Sequence, residues 1–549
     1  MYPPSVTQTP HPCSCTFLAL MTVARSLAAC SVSLPPLLLL SMLGRQCRAL
    51  DAEQVHVSVV GSAGVCISWA SPGSATANLT VQEVEIGTTV EIGPTRVIQP
   101  MTTSYRYEGS DGMGGSYGVP GVYTSPLLLH AHVEVRPSKT YRYRIGSGSD
   151  VGSWRTFRAP PAAGTDRLRL AVVGDIGQTE FSRETCASLL AAHKAHAFDA
   201  AVLLGDVSYA DGTATRWDSF GRVFDESGCA DVPWLVLPGN HEIEADKLSG
   251  EPFVAYRKRW RTPSNGPEEV GNDFKAIDWG TYHFKSRYDF GGSFWSVQLG
   301  PAHFIALNPY TDGKADSVQI KWLTAELERV NRSATPFLIV FTHAPWRGTQ
   351  LLHKPADEQA TRELMEAAEP LLVKAKATML FSGHVHAYER SLPVEGIQHF
   401  IVGNGGNHEQ LYNKWNTSAK TAFRSGEFYG WGELDLWPEA YNFMARRSHD
   451  SSILDSFAAA LPSFAVASPP ERPTQEATAV EAITGGKEEP GVGLPLLGGL
   501  GITGWLCCAA CYWRARRARN AAKGEDIAFR TDPQVLGGHN PVSAGGVAE

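Results

Sequence analysis

Five short polar clusters hold the residues of this 549-residue chain best suited to chemistry. They are Gly174-Asp175-Ile176-Gly177, Gly205-Asp206-Val207-Ser208-Tyr209, Pro238-Gly239-Asn240-His241-Glu242, His343, and Gly383-His384-Val385-His386. Pooled, Asp175, Asp206, Tyr209, Asn240, His343, His384 and His386 give two carboxylates, a phenol, an amide and three imidazoles. Hard oxygen donors mixed with imidazole nitrogens suit iron, manganese or zinc. Two such ions about 3.5–4 Å apart orient a phosphate ester, lower the pKa of a bound water and stabilise charge in an in-line displacement. His241, next to Asn240, is suited to contact phosphate oxygens or protonate a leaving alcohol. The plainer reading of His241 is an imidazole that orients a ligand. Taken singly, a Gly-Asp or Gly-Asn pair is usually only a turn. Five clusters in order carry the signal.

The elements that must position them are legible as well. The clusters follow the apolar runs Leu168–Val173, Ala200–Leu204, Pro233–Leu237, Pro336–Phe341 and Met379–Phe381. Ligands of α/β sheets gather beyond the carboxyl ends of strands, so the clusters can converge on one crevice. Further runs at Phe304–Leu307 and Phe400–Val402, with helical patterns near 180–195, 316–329 and 357–375, predict an α/β layered domain over 166–450. In front of it, residues 53–158 read as a β-sandwich. Val55, Val57 and Val59 alternate with other residues, as do Val65, Ile67 and Trp69, the positions from Leu127 to Val135, and Tyr141, Tyr143 and Ile145. Trp69 as a core aromatic and Tyr141 shortly after Pro137 resemble the fibronectin type III pattern with its tyrosine corner. His130 and His132 lie on the polar face of their strand and are expected to be solvated rather than a metal pair.

The clusters GDIG, GDVSY, GNHE, VFTH and GHVH resemble, in order, the five blocks of the calcineurin-like metallophosphoesterases, and the tyrosine of GDVSY resembles the purple acid phosphatase branch. Leu307–Asp312, His343–Trp346, Ala387–Arg390 and Gly405–Glu409 match in the same style, so the resemblance covers about residues 53–450. It implies two packed mixed sheets flanked by helices, behind a fibronectin III-like sandwich. It implies an iron held by Asp175, Asp206, Tyr209 and His386, and a second divalent iron, zinc or manganese held by Asp206, Asn240, His343 and His384, with Asp206 bridging. The implied activity is acid phosphatase: hydrolysis of phosphate monoesters by a metal-bound hydroxide at the binuclear centre. Plant members carry two adjacent histidines after the VxxH block. Here Leu352 stands at the first position and His353 at the second, leaving His353 as a lone acid or phosphate contact beside Lys354. Glu242 and His408 are expected to support the ligands from outside.

A net charge of −8 excludes the basic stripe of a nucleic-acid binder. Of ten cysteines, only Cys66, Cys186 and Cys229 fall in the folded body, too few for a disulfide scaffold or a zinc finger. A Cys186–Cys229 bridge is an open pairing that the sequence does not fix. Residues 1–49 read as a leader, with an apolar run at 34–43 after Arg25 and small residues near Ala49; Met21 is an alternative start. Residues 458–490 read as a flexible stalk rich in Pro, Ala, Thr, Glu and Gly. Residues 491–513 carry no charge and precede Arg514, Arg516, Arg517 and Arg519, which predicts a transmembrane helix with a cytoplasmic tail at 514–549. The expected topology is a single-pass type I membrane protein of the secretory pathway, its catalytic domain outside the cytosol. Sequons at Asn78, Asn331 and Asn416 are candidate glycosylation sites. Two other readings stay open: a phosphodiesterase or nucleotide pyrophosphatase using the same metal pair, and a non-catalytic surface binding or adhesion module.

Overall fold

Strands that are covered on both faces read as unbroken apolar runs, and the core of this molecule is built from such strands. The computed structural model describes residues 52–461 apart from 74–76, 110–120, 149, 250, 264–273, 278–280, 285–291, 355–356 and 418–419. The amino-terminal part contains β1 (Glu53–Gly61), β2 (Gly64–Ser71), β3 (Asn78–Val84), β4 (Arg96–Ile98), β5 (Met101–Thr103), β6 (Leu127–Glu134), β7 (Thr140–Ser147) and β8 (Arg155–Arg158). Then follow β9 (Leu168–Val173), α1 (Glu180–Ala195), β10 (Ala200–Leu203), α2 (Thr215–Glu226), β11 (Pro233–Val236) and the short helix α3 (Val254–Arg259). The second half holds β12 (Trp295–Leu299), β13 (Ala302–Leu307), α4 (Val318–Glu328), β14 (Phe337–Thr342), α5 (Gln359–Lys374), β15 (Met379–Ser382), β16 (Tyr388–Ser391), β17 (Gln398–Val402) and β18 (Thr421–Ser425). It closes on β19 (Gly430–Trp437), β20 (Ala440–Arg447) and β21 (Ile453–Ala460).

Two large sheets result. One has ten strands in the order β21-β20-β19-β9-β10-β11-β1-β2-β6-β5; the other has seven, β12-β13-β14-β15-β17-β16-β18. Alternate residues of each strand serve two cores. Leu168, Leu170 and Val172 join Val202, Leu235, Phe304, Ile339, Phe381 and Phe400 between the sheets. Ala171, Val173, Leu203, Val236, Leu338, Val340 and Leu380 face the helices instead, with Leu189, Trp217, Phe224, Leu323, Leu364 and Leu372. The catalytic half is therefore a four-layer α/β/β/α stack.

The amino-terminal sandwich is not a separate bead. β1 pairs in parallel with β11, Val57 opposite Pro233 and Ser58 opposite Trp234, and antiparallel with β2. One sheet thus runs from the sandwich into the catalytic half. Val55, Val57, Ile67, Trp69, Leu79, Tyr141 and Tyr143 fill the sandwich core, while Val59 of the same strand enters the core between the large sheets. The Arg136 N–H donates to the Tyr141 hydroxyl at 2.9 Å, closing a tyrosine corner.

Three findings depart from the sequence reading. His132 is exposed as expected, but His130 is 1% exposed: Ser68 Oγ lies 2.8 Å from its Nδ1, and its Nε2 is 3.0 Å from the Lys258 carbonyl. The polar face of that strand is the face the catalytic half covers. Second, the sheet continues past 450 into β21, which reaches into the range expected for the stalk. Asp455 fastens it, accepting hydrogen bonds from Tyr388 and Arg390. Third, α2 was not expected. Its apolar Trp217, Phe220 and Phe224 are spaced for a helix, but Gly221 interrupts them; a Cβ there would collide with Gln54 of β1, so the glycine permits the helix to lie against the sheet. The expected leader, most of the stalk, the membrane span and the tail lie outside the described residues. Among the described residues no helix is long and apolar enough to cross a membrane.

Candidate metal centre

The seven candidate ligands come from both sheets, and the carboxyl ends of β9, β10, β11, β14 and β15 bring them together. All seven are buried. Four of them sit in the left-handed backbone region: Asp175 at φ 57°, Asp206 at 49°, Tyr209 at 50° and His384 at 65°. Each such non-glycine residue costs on the order of 1–3 kcal/mol and persists only where its surroundings enforce it, as at functional sites. Glycine makes room beside them: a Cβ on Gly239 would overlap the Asp206 carboxylate.

The side chains form two adjoining pockets. In the first, the Tyr209 hydroxyl is 3.0 Å from His386 Nε2 and 3.2 Å from Asp175 Oδ1, with His386 Nε2 3.6 Å from the same oxygen. In the second, His343 Nε2 is 3.0 Å from Asp206 Oδ2 and 3.1 Å from Asn240 Oδ1. Asp206, His343 and His384 offer ligand atoms all within 4.8 Å of one another.

A positive ion fits this geometry. His343 Nδ1 lies 2.7 Å from the Leu204 carbonyl and donates to it, which in a neutral ring leaves only a lone pair on Nε2. That lone pair faces Asp206 Oδ2 and Asn240 Oδ1, so with the ring neutral the buried Asp206 Oδ2 receives no hydrogen bond from it. Three lone pairs converge, and a cation relieves them. Burial opposes charge on His343, but Asp206 outweighs it and pushes this imidazole up to about 9, so a proton and a metal ion compete for the same place between Nε2 and Asp206. Burial pushes His384 and His386 the other way, to about 4 and about 3, so both are neutral and able to ligate. For His386 the nitrogen is fixed too, since its Nδ1 donates to the Gln410 carbonyl at 3.0 Å and leaves Nε2 toward the pocket.

The supporting residues are only partly those expected. Glu242 accepts the N–H groups of Gly239, Asp206 and Val207, each at 2.8 Å, and so ties two ligand loops together. His408 lies edge-on to Tyr209 at 5.5 Å. The sequence reading gave no role to Asp211, Tyr310, Glu358, Glu409 or Tyr412. Asp211 Oδ1 is 2.5 Å from His241 Nδ1, and Tyr310 donates to Asn240 Oδ1 at 3.4 Å. Tyr412 stacks over His386 and His353 at 4.9 and 5.6 Å. Tyr310 sits inside the Leu307–Asp312 match, and Asp211 lies two residues past Tyr209; those were the available signals. Glu358 had none.

His241 is buried with its ring 4.2 Å from Tyr209, and its Nε2 is 3.9 Å from Asp206 Oδ2 and 3.8 Å from Glu409. Burial disfavours its charge, yet Asp206, the hydrogen bond to Asp211 and Glu409 together push it up to about 10. His353 is half-buried, its ring 4.1 Å from His384, while Leu351 and Leu352 beside it are exposed. Of the sequons, Asn331 and Asn416 are exposed and Asn78 is half-buried at the start of β3. Cys186 on α1 and Cys229, just before β11, are joined in a disulfide.

Comparison with known proteins points the same way. Residues 168–388 match the family model for calcineurin-like phosphoesterase. The chain is 32% identical over 394 residues to probable purple acid phosphatase 20 of Arabidopsis thaliana, covering 70% of this chain and 81% of that one. It is 31% identical over 431 residues to a phosphoenolpyruvate phosphatase of Allium cepa, covering 72% and 79%. In fold it resembles purple acid phosphatase PPD1 from yellow lupin (Lupinus luteus) seeds, with a TM-score of 0.62 and 18% identity over 76% of this chain and 75% of that one.

Proposed function

Because this chain belongs to the purple acid phosphatases, we propose that it hydrolyses phosphate monoesters at a binuclear metal centre held by Asp175, Asp206, Tyr209, Asn240, His343, His384 and His386. The observation that carries the reading is the convergence of these seven buried side chains on two adjoining clusters, with Asp206 Oδ2 3.0 Å from His343 Nε2. Asp175, Tyr209 and His386 would hold a ferric iron. Asn240, His343 and His384 would hold a divalent iron, zinc or manganese, and Asp206 would serve both. When bound, the pair supplies Lewis acidity toward the phosphate and a water of lowered pKa.

The protein's own side chains do the rest. His241 is held by Asp211 with its Nε2 toward Asp206 and Glu409, and these carboxylates raise its affinity for a proton. It binds a phosphate oxygen or gives its proton to the departing alcohol. His353 lies next to His384. Burial of the ligands keeps bulk water away from their side chains and strengthens these interactions.

Two measurements test this. Aryl phosphate hydrolysis at acid pH is expected in the wild type, with a loss of at least a thousand-fold in Asp206→Ala. A folded, metal-loaded protein that hydrolyses diesters but not monoesters would instead establish the phosphodiesterase reading, and one inert toward both would leave the binding module. For the iron assignment, the visible absorption band of a phenolate–ferric pair is expected in the wild type and absent from Tyr209→Phe. A band that survives the substitution sinks the assignment of Tyr209.

The catalytic half also works outside the cytosol, on a membrane tether. The apolar run at 34–43, the uncharged 491–513 with arginines behind it, the three sequons, and a Cys186–Cys229 disulfide of the kind that persists in oxidising compartments all support this. Sedimentation of the full chain with membranes, and its release by detergent but not by salt, is the expected result; recovery in the soluble fraction overturns it.

A further inference from the structure

Glu358 stands where α5 begins, a position in which a side chain usually caps the helix. It makes no such hydrogen bond to the helix backbone. Instead its Oε1 lies 3.0 Å from His384 Nε2 and 3.0 Å from His353 Nδ1, while its Oε2 accepts from the Thr361 hydroxyl at 3.1 Å. The carboxylate is only 8% exposed, and a buried carboxylate is stable only where it is paired. Its partners are the two imidazoles: one belongs to a proposed metal ligand, the other to a proposed substrate contact. His353 Nε2 is meanwhile 3.4 Å from the Tyr412 hydroxyl, whose ring stacks on that of His353.

We propose that Glu358 is a shared positioning residue, fixing with one oxygen both the ligating nitrogen of His384 and the orientation of His353. When His384 donates its Nε2–H to Glu358, the neutral ring keeps its lone pair on Nδ1, and Nδ1 becomes the nitrogen available to a metal. A carboxylate behind a metal-binding imidazole also raises its basicity and holds its plane. The second imidazole uses the same oxygen. His353 donates from Nδ1, so a second proton, carried on Nε2 beside Tyr412, is the one it can give to a departing alcohol. The consequence is a mechanical link: metal binding and leaving-group protonation depend on a single carboxylate.

The catalytic part of this inference rests on the phosphomonoesterase reading, and the test separates the two. Full-chain wild type, Glu358→Gln and His353→Ala are loaded with zinc and challenged with a competing chelator, and retained metal is measured. The same proteins are assayed on aryl phosphates of graded leaving-group pKa. Glu358→Gln is expected to hold its weaker-bound metal about 10–100-fold less tightly, whereas His353→Ala holds it as the wild type does. Both variants are expected to show a steeper fall of kcat/KM with rising leaving-group pKa, and the double variant a slope no steeper than either. Wild-type metal retention in Glu358→Gln overturns the proposal, and so does an unchanged slope, because either result removes one of the two imidazoles from its control. If Glu358→Gln does not fold, Glu358→Asp keeps the charge but is one methylene shorter, and is judged by the same criteria. A wild type that turns over no ester sinks the phosphomonoesterase reading instead; the chelator measurement needs no turnover and then decides the assignment alone.

Discussion

Glu242 is assigned no metal, yet it governs where two ligands sit. Its oxygens accept three backbone N–H groups, from Gly239, Asp206 and Val207, and no part of it is exposed. Removing it leaves buried donors unpaired at about 1–3 kcal/mol each. Glu242→Ala is therefore expected to lower the unfolding temperature by several degrees and to weaken metal binding about 10–100-fold, checked by calorimetry and metal analysis on one preparation. A variant with wild-type metal content and stability would remove Glu242 from the centre's framework. The candidate ligands were legible because each follows an apolar run and most have a glycine alongside, a signal that needs only local sequence. Glu358 and Tyr412 carry no such mark. Glu358 lies 26 residues from His384, and Tyr412 reaches His386 and His353 only once β15, α5 and the loop after β17 are packed. Their roles exist in the fold and not in any stretch of chain.

At the scale of elements, α3 and α2 meet β1, β2 and β6 along a buried seam. Arg259 of α3 donates to the Tyr105 hydroxyl, Gln54 and Asp218, and His56 packs on Trp260 at 4.3 Å. Burial is the main cause that lowers His56 to about 4 and His130 to about 2. Both folded-state values lie below the ordinary histidine range near 6.5. Above that range the two rings are neutral in folded and unfolded chain alike, and their stabilising contribution is complete. As pH falls below it, the unfolded chain takes up protons that the folded seam refuses, and stability is lost through pH 4 and onward, by up to roughly 1.4 kcal/mol per pH unit for each ring. The unfolding temperature of the wild type is expected to drop between pH 6.5 and pH 4, and less steeply in His130→Gln. Parallel profiles for the two proteins would show that this seam does not set the acid limit. The seam also explains an uneven reading from sequence. β1, β2, β6, β7, β9, β10, β11, β13, β14, β15 and β17, with α1, α4 and α5, follow from periodicity, whereas the remaining strands and α3 were not expected, α2 hides behind Gly221, and the solvated face expected at His130 is a packed one. Alternation tells which residues share a face; it does not tell what lies against it.

For the whole molecule, the ten-stranded sheet makes the sandwich part of the catalytic half. β11 finds its outer neighbour only in β1, and α2 rests against the same strand through Gly221 and Gln54. A chain begun at residue 160 would bare a buried parallel edge and the apolar side of α2. Exposed edges of this kind template pairing with other chains. Such a truncation is expected to aggregate, as read by light scattering, while a protein containing both halves stays dispersed. A soluble, monomeric truncation with intact metal binding would overturn that view.

The same pairing has a timetable. Val57 is synthesised 176 positions before its partner Pro233, while its other neighbour in β2 follows almost at once. At about 5–20 residues per second, roughly 10–35 s pass on the ribosome before that edge of β1 can close. Through this interval the nascent chain presents an open strand edge, and whatever shields it decides how much of the product reaches the native state.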